Sequence, residues 1–302
     1  MKMFSQYFGN YLLNKGLITT EQLTKALEVY HSTHVKLGVI AVDKNYLSPA
    51  QVEKIHNIQR QKDMLFGQIA ISLGYLTSEQ VEEMLSTQKN NHLQLAQAIV
   101  NEGYMSIEEF SIALNDYKNK YSLTEDRFEA IKNGNIDAIV QVLLSEQSES
   151  AQRYVEYITL FIKNMVRFID SNIYIELAPF TLIQRHDWIV RQQINGYKNL
   201  DSFILANEEV FLKIASKFAE EELVSVDELA QASVSEFLNL HNGIYLVNLS
   251  NRGIELSMNP QVVYRDKGIS SMNASALKVI LHTSLGEFNL VISDDLHTLK
   301  LN

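Results

Sequence analysis

Cysteine is absent from all 302 residues, which excludes disulfides and thiolate metal sites and fits a reducing cytoplasm. No run of eighteen apolar residues occurs, and the opening MKMFSQYFGNYLLNKG has no uninterrupted apolar core followed by small residues. Neither a membrane-spanning helix nor a secretory leader is therefore expected. Cations never gather: 26 Lys and Arg against 36 Asp and Glu leave a net charge of -10, and no helix or strand collects them into a stripe. A nucleic-acid polymer, which needs such a stripe to neutralise its phosphates, is not the expected partner. A Gly-rich phosphate loop, a Ser-His-Asp order and a paired acidic motif are likewise missing. His31 and His34 share a helical face, but no Asp, Glu or Cys completes a ligand set, so they read as solvated surface and no metal is expected. What remains is a cytoplasmic globular chain of ordinary apolar content, long enough for two domains.

What the chain has is a repeat. Phe8-Gly9, Leu37-Gly38, Phe66-Gly67 and Leu95-Ala96 open four copies at a constant period of 29 residues. In each copy a hydroxyl residue stands three places before Gln or Glu: Thr19 and Gln22, Ser48 and Gln51, Thr77 and Gln80, Ser106 and Glu109. That spacing is a capping box, so every copy should start a helix at the same place. Pro49 follows Ser48 at the first helical position, where its missing N–H costs nothing. Gly16, Gly74 and Gly103, with Asn45 in the second copy, fall where a first helix must end in left-handed backbone. Each copy thus reads as a short helix, a tight turn and a longer helix. The third shows the buried stripe: Phe66, Ile69, Ala70, Leu73, Leu76, Val81, Met84 and Leu85 recur at three- and four-residue intervals.

The apolar-Gly openings and the turn spacing over residues 8 to 120 resemble the MshEN domain of type II secretion and pilus ATPases, whose helix-turn-helix motifs can bind cyclic di-GMP. The resemblance implies a sensing or docking module, with Gly9, Gly38, Gly67 and Lys36 as nucleotide contacts. Two roles suit the glycines: close backbone approach to a nucleotide or, the reading their pattern favours, close contact between helices. The family's Arg before the apolar-Gly pair is replaced by Tyr7, Lys36, Leu65 and Gln94, so only Lys36 is cationic.

Residues 1–123 form this all-α array and residues 124–152 read as a helical linker, with one helix carrying Ile136, Ile139, Val140, Leu143 and Leu144 and a break at Asn133-Gly134. From 153 to 302 the pattern changes. A helix striped by Tyr154, Tyr157, Ile158, Phe161, Ile162, Met165, Phe168 and Ile169 precedes β-rich segments IYIELAPFTLI, DWIVRQQI and SFILA. Two helices follow, EEVFLKIASKFAEE and a longer one from Val226 to about Leu249. Then come strands IELSMNPQVVY, ALKVILHTS and EFNLVISD, the last two joined through a hairpin at Leu285-Gly286. Helices against a largely antiparallel sheet make an α+β domain.

On the long helix Glu236, Asn239 and Gly243 share one face, while Val234, Phe237, Leu238, Ile244 and Tyr245 point toward the sheet. The stretch from Glu236 to Gly243, with Pro260 opening the following strand, resembles the chemotaxis phosphatases typified by CheX and CheC, marked by E-x-x-N on a helix and a later Pro. Ala232 stands where members carry Asp or Ser, although Ser233 and Ser235 are near, and the interval from Asn239 to Pro260 is slightly short. The resemblance implies hydrolysis of the aspartyl phosphate of a CheY-like receiver that supplies its own Mg2+. Asn239 would orient the attacking water and Glu236 would pair with the receiver's active-site Lys. His241, Asn242, Gly243 and Pro260 would touch the partner, His241 being equally able to pack against a neighbouring element. Monomer and homodimer both stay open. The alternative is a non-catalytic adaptor whose CheX-like domain binds or dimerises under cyclic di-GMP control from the repeats.

Overall fold

All four capping boxes close. Gln22 N–H reaches Thr19 Oγ1 at 3.3 Å while Thr19 N–H reaches Gln22 Oε1 at 2.9 Å, and the Ser48/Gln51, Thr77/Gln80 and Ser106/Glu109 pairs repeat that exchange. The computed structural model describes residues 3–30, 33–62, 64–86, 91–145, 149–180, 184–197, 199–271, 276–295 and 299–301; His31 lies outside them. Each copy is a helix pair: α1 (Met3–Asn14) and α2 (Thr20–Val29), α3 (Leu37–Asp43) and α4 (Pro49–Gln59), α5 (Phe66–Ser72) and α6 (Ser78–Ser86), α7 (Asn91–Asn101) and α8 (Ile107–Lys120). The turn residues Gly16, Asn45, Gly74 and Gly103 take φ of 67°, 55°, 69° and 70°, the left-handed region the spacing requires.

The copies do not stack in file. α4 packs on α5 and α3 on α6, while α2 packs on α7 and α1 on α8, so copies two and three embrace reciprocally, as do copies one and four. Several polar contacts follow the same pairing. Lys25 meets Glu102 at 2.8 Å, Tyr46 donates to Glu83 at 2.6 Å, and Lys54 reaches Tyr75 at 3.1 Å. α9 (Glu125–Lys132) completes this unit, Met1–Gly134, by setting Phe128 edge-on to Phe4 at 5.7 Å.

In the first three copies the opening glycine is where the two helices cross. A Cβ on Gly9, Gly38 or Gly67 would stand 2.8 Å from Leu23, Val52 or Val81 respectively. Gly67→Ala is therefore expected to destabilise the first unit by about 1–3 kcal/mol, the usual range for overpacking. Adding Val81→Ala should return much of that loss. Urea unfolding of the single and double variants checks it, and an unshifted midpoint in the single variant would refute the crossing contact.

The second unit, Asn135–Asn302, begins with α10 (Ile136–Ser145), α11 (Glu149–Gln152) and α12 (Val155–Phe168). The segment between the repeats and the α+β region thus holds helices on both sides of Asn133-Gly134, α9 in the first unit and α10 in the second. β1 (Ile173–Pro179), β2 (Gln184–Gly196) and β3 (Leu200–Ala206) lead to α13 (Glu208–Ala219) and α14 (Glu228–Ser250). β4 (Leu256–Met258), β5 (Val262–Ser271), β6 (Leu277–Thr283), β7 (Gly286–Ser293) and β8 (Leu299–Leu301) complete it. The sheet runs β1-β6-β7-β3-β2-β5-β8, with β4 also paired to β2, and every pairing is antiparallel. The fold is α+β.

Alternation along β2 and β3 sorts the two faces. Trp188, Val190, Gln192 and Ile194, with Ser202 and Ile204, face the helices; Trp188 lies 5.4 Å from Phe211 of α13. Ile189, Phe203 and Leu205 face the other way, clustering with Phe180, Ile269, Ala276 and Val291. One expected strand proves to be two. IELSMNPQVVY breaks at Asn259-Pro260-Gln261, because Pro260 has no N–H to give a ladder. Pro260 therefore sits in the break, exposed, instead of opening a strand. No helix among the described residues is long and apolar enough to cross a membrane.

Candidate functional site

Asp227 starts α14 by accepting from Ala230 N–H at 3.0 Å. Two turns on, Glu236 is exposed and Asn239 half-buried, one turn apart on the same face. Asn239 Nδ2 donates to Glu236 Oε2 at 3.2 Å and, more weakly, to Oε1 at 3.4 Å. Asn239 Oδ1 accepts from Gln192 Nε2 at 2.9 Å, and the same Nε2 donates to the backbone carbonyl of Asn259 at 3.0 Å. Gln192 Oε1 accepts from Asn242 Nδ2 at 2.8 Å, and Asn242 Oδ1 from the Tyr157 hydroxyl at 2.7 Å. An exposed carboxylate and a half-buried carboxamide thus end a chain of side chains rooted beneath the helix.

Gln192 and Asn259 were not among the expected site residues. Their signals were in the sequence: a Gln at an inward position between Val190 and Ile194, and an Asn held extended by the Pro after it. Asn259 is tied into the sheet by its N–H to Gln193 O at 2.9 Å, and its side chain meets Asn195 at 3.0 Å.

His241 and Asn242 do not present a surface to a partner; both are 0 % exposed. His241 comes two residues after Asn239, about 200° around the helix, so it points into the core. It packs edge-on to Tyr157 at 4.4 Å and Phe161 at 5.0 Å, and its Nδ1 accepts from Asn164 Nδ2 at 3.2 Å. Burial pushes its pKa down to about 3, so the ring is neutral. Phe237 likewise packs between Phe161 and Phe218 of the neighbouring helices, at 5.6 Å from each. Gly243 is half-buried, and a Cβ there would meet Met258 at an ordinary 3.9 Å. Ala232 is exposed, and Ser233 and Ser235 spend their hydroxyls on the carbonyls of Leu229 and Gln231, so neither stands in for the residue the motif lacks.

In the repeats, Lys36 is exposed at the N-cap of α3, its N–H donating to Gln97 Oε1 at 2.9 Å. The side on which Gly9, Gly38 and Gly67 lack a side chain is filled by Leu23, Val52 and Val81. Of the two roles open to these glycines, the geometry fits helix contact. Among the described residues no group of three or more His, Cys, Asp or Glu could hold a metal ion.

No protein-family model and no curated protein matches this sequence. Similar solved structures are CheX- or CheC-like chemotaxis proteins that cover about half the chain. A CheC-like superfamily protein from Shewanella sp. PV-4 is 19 % identical with a TM-score of 0.39, over 46 % of this chain and 97 % of its own. A chemotaxis protein CheX from Desulfovibrio desulfuricans is 15 % identical with a TM-score of 0.39, over 47 % and 98 %. The CheX–CheY–BeF3–Mg complex from Borrelia burgdorferi is 18 % identical with a TM-score of 0.39, over 49 % and 97 %.

Proposed function

We propose that the α+β unit is a two-component signalling phosphatase, of the kind that serves chemotaxis, which hydrolyses the aspartyl phosphate of a CheY-like receiver. The observation that carries this reading is the Glu236–Asn239 pair, displayed on a rigid helix with its amide held from behind. Phosphoryl transfer asks little covalent chemistry of a catalyst; positioning and electrostatics suffice, and the receiver brings its own Mg2+. Asn239 can accept from the attacking water with its second carbonyl lone pair and donate to a phosphoryl oxygen through an N–H. The receiver's active-site Lys would take over Glu236, releasing the Asn239 N–H that the carboxylate holds in the free protein. Pro260, exposed beside this face, and Gly243 complete the docking rim.

The repeat unit is assigned docking or sensing for the same pathway. Its covered glycines and the absence of the family's Arg favour a protein partner over cyclic di-GMP.

The test is the decay of phosphorylated receiver domains encoded in the same genome, with and without this protein. Acceleration is expected, and Asn239→Ala should remove on the order of 10²-fold of it while binding to the beryllofluoride-activated receiver persists. Unchanged decay across every receiver would replace this reading with the non-catalytic adaptor.

A further inference from the structure

Two acceptor-only groups bracket the amides of this site. At one end is the backbone carbonyl of Asn259, at the other the carboxylate of Glu236. The carbonyl can only face an N–H, so the Gln192 carboxamide must turn its Nε2 toward it, and that Nε2 also faces Asn239. Asn239 must then answer with Oδ1, which leaves its Nδ2 toward Glu236, whose carboxylate demands the same orientation. Behind Gln192, Asn242 completes the order: its Nδ2 serves both Gln192 Oε1 and Ser202 Oγ, at 2.8 and 3.2 Å, while Ser202 returns its hydroxyl to Gln192 O at 3.0 Å. Turning any one amide over would set donor against donor or acceptor against acceptor along the row.

We infer that Gln192 is a positioning residue that fixes which way round the Asn239 carboxamide stands, with its N–H edge toward Glu236 and the docking face. The geometric part stands alone; its consequence for turnover rests on the phosphatase reading above. Gln192 is 1 % exposed, so it acts on a receiver only through Asn239. A reversed Asn239 would aim its carbonyl at Glu236 and lose the N–H that a phosphoryl oxygen needs. The break at Pro260 has a part in this, because the extended Asn259 before it is what offers the deciding carbonyl.

Gln192→Glu keeps the shape and replaces the donor with an acceptor. The Asn239 NH2 is then drawn to two carboxylates at once and loses its single orientation, so nuclear Overhauser contacts between that NH2 and the Glu236 methylenes, expected in the unmodified protein, should weaken markedly in the variant. For a phosphatase, the maximal rate of receiver dephosphorylation should fall by about 10-fold or more with little change in half-saturating receiver, the pattern of lost alignment. Contacts unchanged in Gln192→Glu, or a rate that falls only through weaker binding, would overturn the proposal. So would an unmodified protein whose Asn239 NH2 lies against Gln192 instead of Glu236, a measurement that needs no variant to fold. If no receiver responds to the unmodified protein, the phosphatase reading fails and the resonance contacts still decide the orientation.

Discussion

Between pH 7 and pH 4 the α+β unit is expected to lose about 3 kcal/mol of stability through His241 alone, rising to about 4 kcal/mol near pH 3. The folded ring has its pKa held at about 3 by burial, whereas in the unfolded chain an ordinary imidazole titrates near 6.5. Between those values the unfolded state binds the extra proton. Stability is therefore full above pH 6.5 and drains as the pH falls toward the folded pKa. The cause is visible around the ring. Nδ1 accepts from the Asn164 amide, so the neutral ring carries its proton on Nε2, and a second proton on Nδ1 would face that amide's N–H. Nε2 has no partner among the described residues, and the aromatic walls of Tyr157 and Phe161 offer no carboxylate to offset a charge.

His241→Gln separates this from the general acid sensitivity of carboxylates. Gln can still accept from Asn164 and does not titrate. The variant should be less stable at pH 7, having lost the ring contacts, yet its urea midpoint should fall less steeply with acid, by close to one proton's worth of slope. Parallel profiles for the two proteins would show that His241 takes its proton as readily folded as unfolded.

How far the sequence could be read depended on how far apart the interacting residues lie. Capping boxes and left-handed turn residues are settled by neighbours within one turn, so Thr19, Ser48, Thr77, Ser106, Gly16 and Asn45 could be placed from the repeat alone. Which copies embrace which depends on pairs such as Lys25 and Glu102, and a period carries no word of that. The same division runs through the second unit. Stripes and alternation gave α12, β1 to β3, α13 and α14, whereas β8, three residues long, is too short to show a period. Glu236 and Asn239 were legible because three-residue spacing keeps two side chains together. Of the two places open to His241, packing against a neighbouring element is the one it takes, because two residues on from Asn239 is the opposite side of the helix. Gln192 comes from a distant strand, and only its polar character at an inward position could have flagged it.

On the far face of the sheet, Arg191→Met is expected to cost about 3 kcal/mol at pH 7, because it strands the carboxylate of Asp201. Arg191 grips that carboxylate with two hydrogen bonds, Nε to Oδ1 at 2.9 Å and Nη2 to Oδ2 at 2.5 Å, and stacks 5.2 Å from the centre of the Phe203 ring. Asp201 is 0 % exposed while the Arg191 side chain keeps 22 %, which places the loss at the lower end of the range for a broken buried pair. Burial already holds the Asp201 pKa above its ordinary value, outweighing the pull of Arg191 and Gln193 in the other direction. A raised carboxylate pKa means that the folded state holds the proton more tightly, so this site's contribution falls as the pH rises through the window and recovers as it drops. Removing Arg191 takes away the main lowering influence and widens that window upward. The gap between Arg191→Met and the unmodified protein should therefore be widest at pH 7 and narrow by pH 5, with the His241 loss common to both. Asp201→Asn in the same chain removes the charge, so the double variant should recover most of the stability at pH 7. Urea unfolding of the three proteins at the two pH values decides it. A gap that does not narrow in acid, or a double variant as weak as the single, would mean that Arg191 holds the sheet by packing on Phe203 and not by answering Asp201.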